Sequence, residues 1–345
     1  MSTMTSTGST PSGSGRTSSD SARAEADRGR GLRLRLSGMN WLVWRQHRAA
    51  YWTLLAASAI TVAVIVYQRQ QMITYLDGYG YPDLKSGWEE RFDQGPLDAA
   101  SQLLALLPVL IGVFVGAPLL AGDLENGTAK LVNAQSVSRV RWLTTKLGMT
   151  ALVVVVSTAA VSAVFTWWWS PVKSSSYVLS WSDAAGFDSS GPVPVALTLF
   201  TVVGGVAIGM LLRRTLLSMV VTLGFAVAVQ VVWSYFRMSL GNAITVTTHN
   251  GVGSNSQPNV PDSAYVVDQS YLTASGDLMG WGSCNEQTEK AANACLEKAQ
   301  VVGWSFEYIP MSQMSSMQWL GASILLALTA GIAAFVIFWG RKRLV

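Results

Sequence analysis

The sequence predicts an all-α polytopic membrane protein with six transmembrane helices, and three observations lead there. Half of its 345 residues are hydrophobic. Only 13% are Asp, Glu, Lys or Arg, against about 25% in an average soluble domain. The apolar residues gather into six blocks, 50–67, 99–121, 147–169, 193–212, 215–236 and 317–339, none of which holds an Asp, Glu, Lys or Arg. Each block meets or approaches the roughly 20 residues needed to cross a hydrocarbon core of about 30 Å. A membrane β-barrel would instead alternate polar and apolar residues over about ten positions.

Basic residues collect on the cytoplasmic side of a membrane, and they set the orientation. With the N- and C-termini cytosolic, 17 of the 24 Lys and Arg lie inside and 15 of the 20 Asp and Glu lie outside. The two sides then carry net charges of +12 and −8. The overall charge of +4 and the pI near 9.1 therefore reflect membrane-adjacent cations facing anionic headgroups, not a nucleic-acid surface.

The elements follow in order. Residues 1–31 are Ser-, Thr-, Gly- and Arg-rich, too polar to bury a core, and are expected to be a disordered cytosolic tail. The tail has no apolar centre of a signal peptide. Residues 32–49 are expected to form an interfacial amphipathic helix: Met39, Leu42, Val43 and Gln46 share a face, and Trp41 and Trp44 sit among Arg45, His47 and Arg48, which suits the headgroup level. Residues 50–236 carry spans one to five. In span two, Pro108 and Pro118 predict kinks. Gly112 and Gly116, and in span four Gly205 and Gly209, are spaced for close helix approach. Trp167, Trp168 and Trp169 end span three as an aromatic belt would.

Residues 237–316 form the extracytoplasmic segment between spans five and six. "NEQTEKAANACLEKAQVV" has helix-forming composition and "THNGVGSNSQPNVPDS" looks irregular, so a small helical cap is expected. Cys284 and Cys295, the only cysteines, both lie in this segment, where a disulfide persists. One straight helix would hold them about 16 Å apart, beyond the ~7 Å a disulfide allows. Pairing therefore requires "GWGSCN" to turn back on the helix, and two buried free thiols are the alternative. Residues 317–345 are span six and a basic cytosolic tail.

Several chemistries lack their residues. The sequence has no G-x-x-x-x-G-K-[ST] phosphate loop, no G-x-S-x-G elbow and no H-E-x-x-H, and His47 and His249 are its only histidines. No catalytic residue, cofactor or metal site is expected. The spans contain no charged group of the kind a proton-coupled transporter carries; Gln102 and Gln230 are the main long amides of the first five. Energy for any transport is expected to come from another chain.

The polar connection 122–146 stands out. Acids come early, Thr128, Leu131, Val132 and Gln135 share a helical face, and Arg139, Arg141 and Lys146 close the segment. Together with "WLVWRQHRA" ahead of span one, "GVFVGAPLLAGDLENGTAKLVNAQSVSRVRWLTTKL" resembles the type 2 permease subunits of ATP-binding-cassette (ABC) transporters, in their actinobacterial branch. The matching positions are Asp123, Glu125, Gly127, Thr128, Ser138, Arg139 and Lys146.

The resemblance implies a plasma-membrane permease subunit of an ATP-driven exporter with no ATPase site of its own. It implies that Glu125, Gly127, Thr128, Gln135, Ser138 and Arg139 of a cytosolic coupling loop contact a separate ATPase subunit. The other expected partners are a second permease copy or a paralogue, and membrane lipids, with no nucleic acid. The alternative is a non-transport signalling or immunity component that retains the permease fold.

Overall fold

A computed structural model describes residues 38–127, 138–175 and 177–343. Six helices among the described residues are long and apolar enough to cross a membrane. Helix α1 spans Met39–Asp77. The second crossing is built of α2 (Gly95–Ile111), a π turn (Gly112–Gly116) and α3 (Ala117–Glu125). Helix α4 spans Arg139–Trp169, and the short α5 spans Ala184–Phe187. Helices α6 (Val193–Leu212) and α7 (Thr215–Phe236) form a hairpin, and α9 (Met314–Arg343) ends the bundle.

The expected interfacial helix over 32–49 is not a separate element where it is described. Residues 39–49 are the first turns of α1 and continue without a break into the first span. No Gly or Pro interrupts 39–77, so nothing in the backbone stops the helix at the start of its apolar block.

Helix α6 is central. It packs against α2, the π turn, α3, α4, α7 and α9, and 67% of its apolar window is buried, against 11% in α1 and 17% in α7. Glycines and the π turn explain the tight fit. A Cβ on Gly116 would meet the Val202 carbonyl oxygen at 2.6 Å, and one on Gly205 would meet that of Gly112 at 2.9 Å. The two glycine pairs thus face each other and bring backbone onto backbone, as small residues do between membrane helices. Proline at 108 disturbs the ladder of α2, and polar groups of neighbouring helices reach its carbonyls. Thr201 Oγ1 donates to Pro108 O at 2.7 Å and Gln230 Nε2 to Ala105 O at 2.7 Å.

One apolar cluster occupies each end. The first holds Phe165, Trp168, Trp169, Trp181, Phe187 and Met317; the second holds Leu119, Leu120, Trp142, Leu143, Met210 and Val336. Beside the first, Asp188 accepts from Trp233 Nε1 at 2.6 Å and Arg237 Nη1 at 3.0 Å. Burial pushes its carboxyl above the usual carboxylate range, opposed by those two partners.

The segment between α7 and α9 corrects the all-α expectation. It contains a four-stranded antiparallel sheet of β1 (Ile244–Thr247), β2 (Tyr265–Thr273), β3 (Leu278–Gly280) and β4 (Val301–Ile309), in the order β1-β4-β2-β3. One helix, α8 (Glu289–Lys298), accompanies it. Pairing runs from Tyr265 opposite Ile309 to Thr273 opposite Val301. "VVGWSFEYI" and "YVVDQSYLT" are rich in β-branched and aromatic residues, the chemistry of a pleated, half-buried surface, and that preference overrides the helical cap expected there. Cys284, in the turn after β3, forms a disulfide with Cys295 of α8, with Cα atoms 5.6 Å apart.

The sheet is fastened to the bundle. Trp181 Nε1 donates to Ser263 O at 2.5 Å, and Gln313 exchanges two hydrogen bonds with the Asn242 backbone, each 2.8 Å.

Candidate functional site

The polar connection leaves the bundle at its far end from the sheet, between α3 and α4. Its borders are set by local chemistry. Helix α3 stops because Asn126 is followed by Gly127 at φ +70°, the left-handed position after a helix that favours glycine. Helix α4 starts because the Ser138 hydroxyl, in extended backbone, accepts from Arg141 N at 3.3 Å, the role of an N-cap.

Beneath these borders lies a buried ion pair. Lys146 has no exposed surface and Asp123 is 8% exposed; their side chains are joined by a direct Lys146 Nζ–Asp123 Oδ2 contact. The ammonium also donates to Leu119 O at 3.3 Å and lies 5.0 Å from the centre of the Trp142 ring. The other carboxylate oxygen of Asp123 accepts from Gln46 Nε2 at 2.6 Å. One carboxylate therefore ties α3 to both α1 and α4. His47, one residue further on α1, stacks near Tyr51 at 5.9 Å, and the Tyr51 hydroxyl bonds Thr150 Oγ1 at 2.8 Å, a second tie between α1 and α4.

Glu125 reaches in another direction. Its Oε2 accepts from Thr215 N at 2.8 Å, at the first residue of α7, where the unsatisfied N–H groups and the helix dipole favour a carboxylate. The α6–α7 connection is only Arg213 and Arg214, with Arg213 left-handed at φ 56°. The ends of α1, α3, α4 and α7 are thus joined by side-chain bonds within a few residues of the connection.

Of the sequence-derived contact residues, Glu125, Gly127, Ser138 and Arg139 lie here at the two borders. Glu125 and Arg139 are exposed. Thr128 and Gln135 lie outside the described residues. Gly127 and Ser138 have roles in ending and starting helices. Sequence reasoning placed Gln46 on a helical face and His47 among the basic residues before span one but gave neither a partner, and it left Tyr51 and Thr150 aside. A polar side chain near the start of α1 was the only signal, since their partners are distant in the chain. Among the described residues, no group of three or more His, Cys, Asp or Glu is placed to hold a metal ion.

A bundle of six helices long and apolar enough to cross a membrane defines a multi-pass membrane protein. Residues 55–237, more than half of the chain, match the family described as ABC-2 membrane transporter related, and the chain belongs to that family. It is a permease of the ABC-2 type. No curated protein and no solved structure matches it.

Proposed function

We propose that the chain is the membrane subunit of an ATP-driven exporter of the plasma membrane, in the actinobacterial branch of ABC-2 permeases, with both termini and the connection 122–146 in the cytosol. The family implies a cytosolic ATPase subunit as partner. A second permease copy or a paralogue completes the membrane part. In this reading the connection receives the push of the ATPase, and Glu125 and Arg139, together with Thr128 and Gln135, meet that partner.

The observation that carries the reading is the bonding around the connection. A displacement of the two borders, at Asn126–Gly127 and Ser138–Arg139, pulls on α3 and α4 directly, on α1 through Gln46 and Asp123, and on α7 through Glu125. The excess of Lys and Arg on that side of the chain, 17 of 24, supports a cytosolic face, and the six apolar blocks, free of Asp, Glu, Lys and Arg, support an external energy source.

The test uses the full chain co-expressed with its cytosolic ATPase subunit. Arg139→Glu, at an exposed position, is expected to weaken the complex and lower permease-dependent ATP hydrolysis about tenfold, the value of ~1.4 kcal/mol of contact energy. A cysteine at position 139 is expected to react with a membrane-impermeant maleimide only in inside-out vesicles. Labelling from the outside, or undiminished hydrolysis with Arg139→Glu, overturns the reading.

A further inference from the structure

Between α4, the start of α6 and the start of α9 lies a cavity of about 1000 Å³. It is graded along its length. Ala159, Ala163 and Leu326 line the part further from the sheet, while Ser170, Lys173, Ser312 and Ser315, beside the ends of α4 and α9, line the part near it. Lys173 is the only charged residue among the described residues that line it. The lining of α4 runs from Ala159 to Trp169, ten residues or about 15 Å of helix. That equals the depth of one leaflet, half of a hydrocarbon core of about 30 Å.

The polar end is built rather than incidental. Gln318, 5% exposed, donates through Nε2 to Phe187 O at 2.8 Å, Ser190 O at 3.1 Å and Ser190 Oγ at 3.0 Å. Ser162 donates to Gly191 O at 2.9 Å, and Gly191 N donates to Thr166 Oγ1 at 3.3 Å. These bonds hold the 186–192 turn across the head of the cavity and leave the space beneath it open. Electrostatically, this end receives the N-termini of two long helices, α6 and α9, whose dipoles favour an anion. The C-terminus of α4 opposes them, and Lys173 sits four residues beyond it.

We propose that this cavity holds an acyl chain of an anionic glycerophospholipid drawn from the surrounding bilayer, with the phosphate against Lys173. A neutral cargo would make no use of the Lys173 cation. A soluble anion would leave a leaflet-deep apolar slot unfilled. A lysine ammonium forms charge-assisted hydrogen bonds to a phosphate. The inference rests on the membrane location of the chain and is independent of ATPase coupling.

The test is native mass spectrometry of the full chain released from nanodiscs of equimolar phosphatidylglycerol and phosphatidylcholine, with no ATPase and no cargo present. The wild-type chain is expected to retain the anionic lipid preferentially. Lys173→Gln is expected to keep lipid but lose about fivefold of that preference, the worth of one headgroup cation. Ala163→Trp, which fills the slot, is expected to retain neither lipid, with Val195→Phe as a second filling variant. Size-exclusion profiles report folding, and if neither filling variant folds, the Lys173→Gln comparison decides.

Retention without headgroup preference, or retention unchanged by filling the slot, overturns the proposal. Either result alongside intact ATPase stimulation would sink this inference and leave the exporter reading standing.

Discussion

A lysine ammonium with no exposed surface is costly unless fully compensated, and Lys146 is compensated by one carboxylate, one carbonyl and one aromatic face. Removing one partner of a buried pair leaves the other charge stranded, which costs about 3–5 kcal/mol. Lys146→Met alone should therefore strongly lower the unfolding midpoint of the purified protein. Asp123→Asn added to Lys146→Met should recover most of that loss, because the amide can still bond Gln46 and no unpaired charge remains. Additive losses in the two single variants and their combination would show that the pair is not coupled.

Both residues were visible in the sequence as parts of the motif, but their pairing was not. They stand 23 positions apart, on two helices separated by a polar connection. Gln46 was legible only as one position of a helical face, since its partner lies 77 residues away.

At the scale of elements, the contact between the second crossing and α6 depends on glycine. Gly116 meets the Val202 backbone, whereas Gly148, in α4, has open space where a Cβ would stand. Gly116→Ala should cost about 1–3 kcal/mol through overpacking. Gly148→Ala should be neutral or stabilise by up to about 1 kcal/mol, because alanine is the better helix former. Thermal unfolding of the two variants side by side separates packing from helix propensity; equal shifts would refute the packing account.

The four-residue spacing of these glycines was readable, and the structure brings the two pairs together. The π turn between them was not, because a helix with one additional residue per turn has the same composition as a regular one. The same limit hid the sheet. Short strands of mixed polarity around a helix-forming segment carry a weaker signal than a 20-residue apolar block.

For the whole molecule, composition decided the bundle: six uninterrupted apolar stretches have few alternatives to six helices. The small sheet is held differently, by β-pairing, by the bonds of Trp181 and Gln313, and by the Cys284–Cys295 link. Replacing both cysteines by serine should cost the sheet about 2–3 kcal/mol, as expected for a closed loop of this length. Limited proteolysis of the variant should then cut within 237–316 while the bundle stays intact. A wild-type cleavage pattern would show that β-pairing alone suffices.

The turn at Gly112–Gly116 also sets an azimuth. A regular helix advances about 100° per residue, so a single surplus residue there rotates everything after it by that angle. With an ordinary turn in its place, the carboxylate of Asp123 would swing roughly a quarter of a circle away from Lys146 and Gln46. The compass bearing of the bundle's buried charge is thus fixed from seven residues upstream, by one wide coil of backbone.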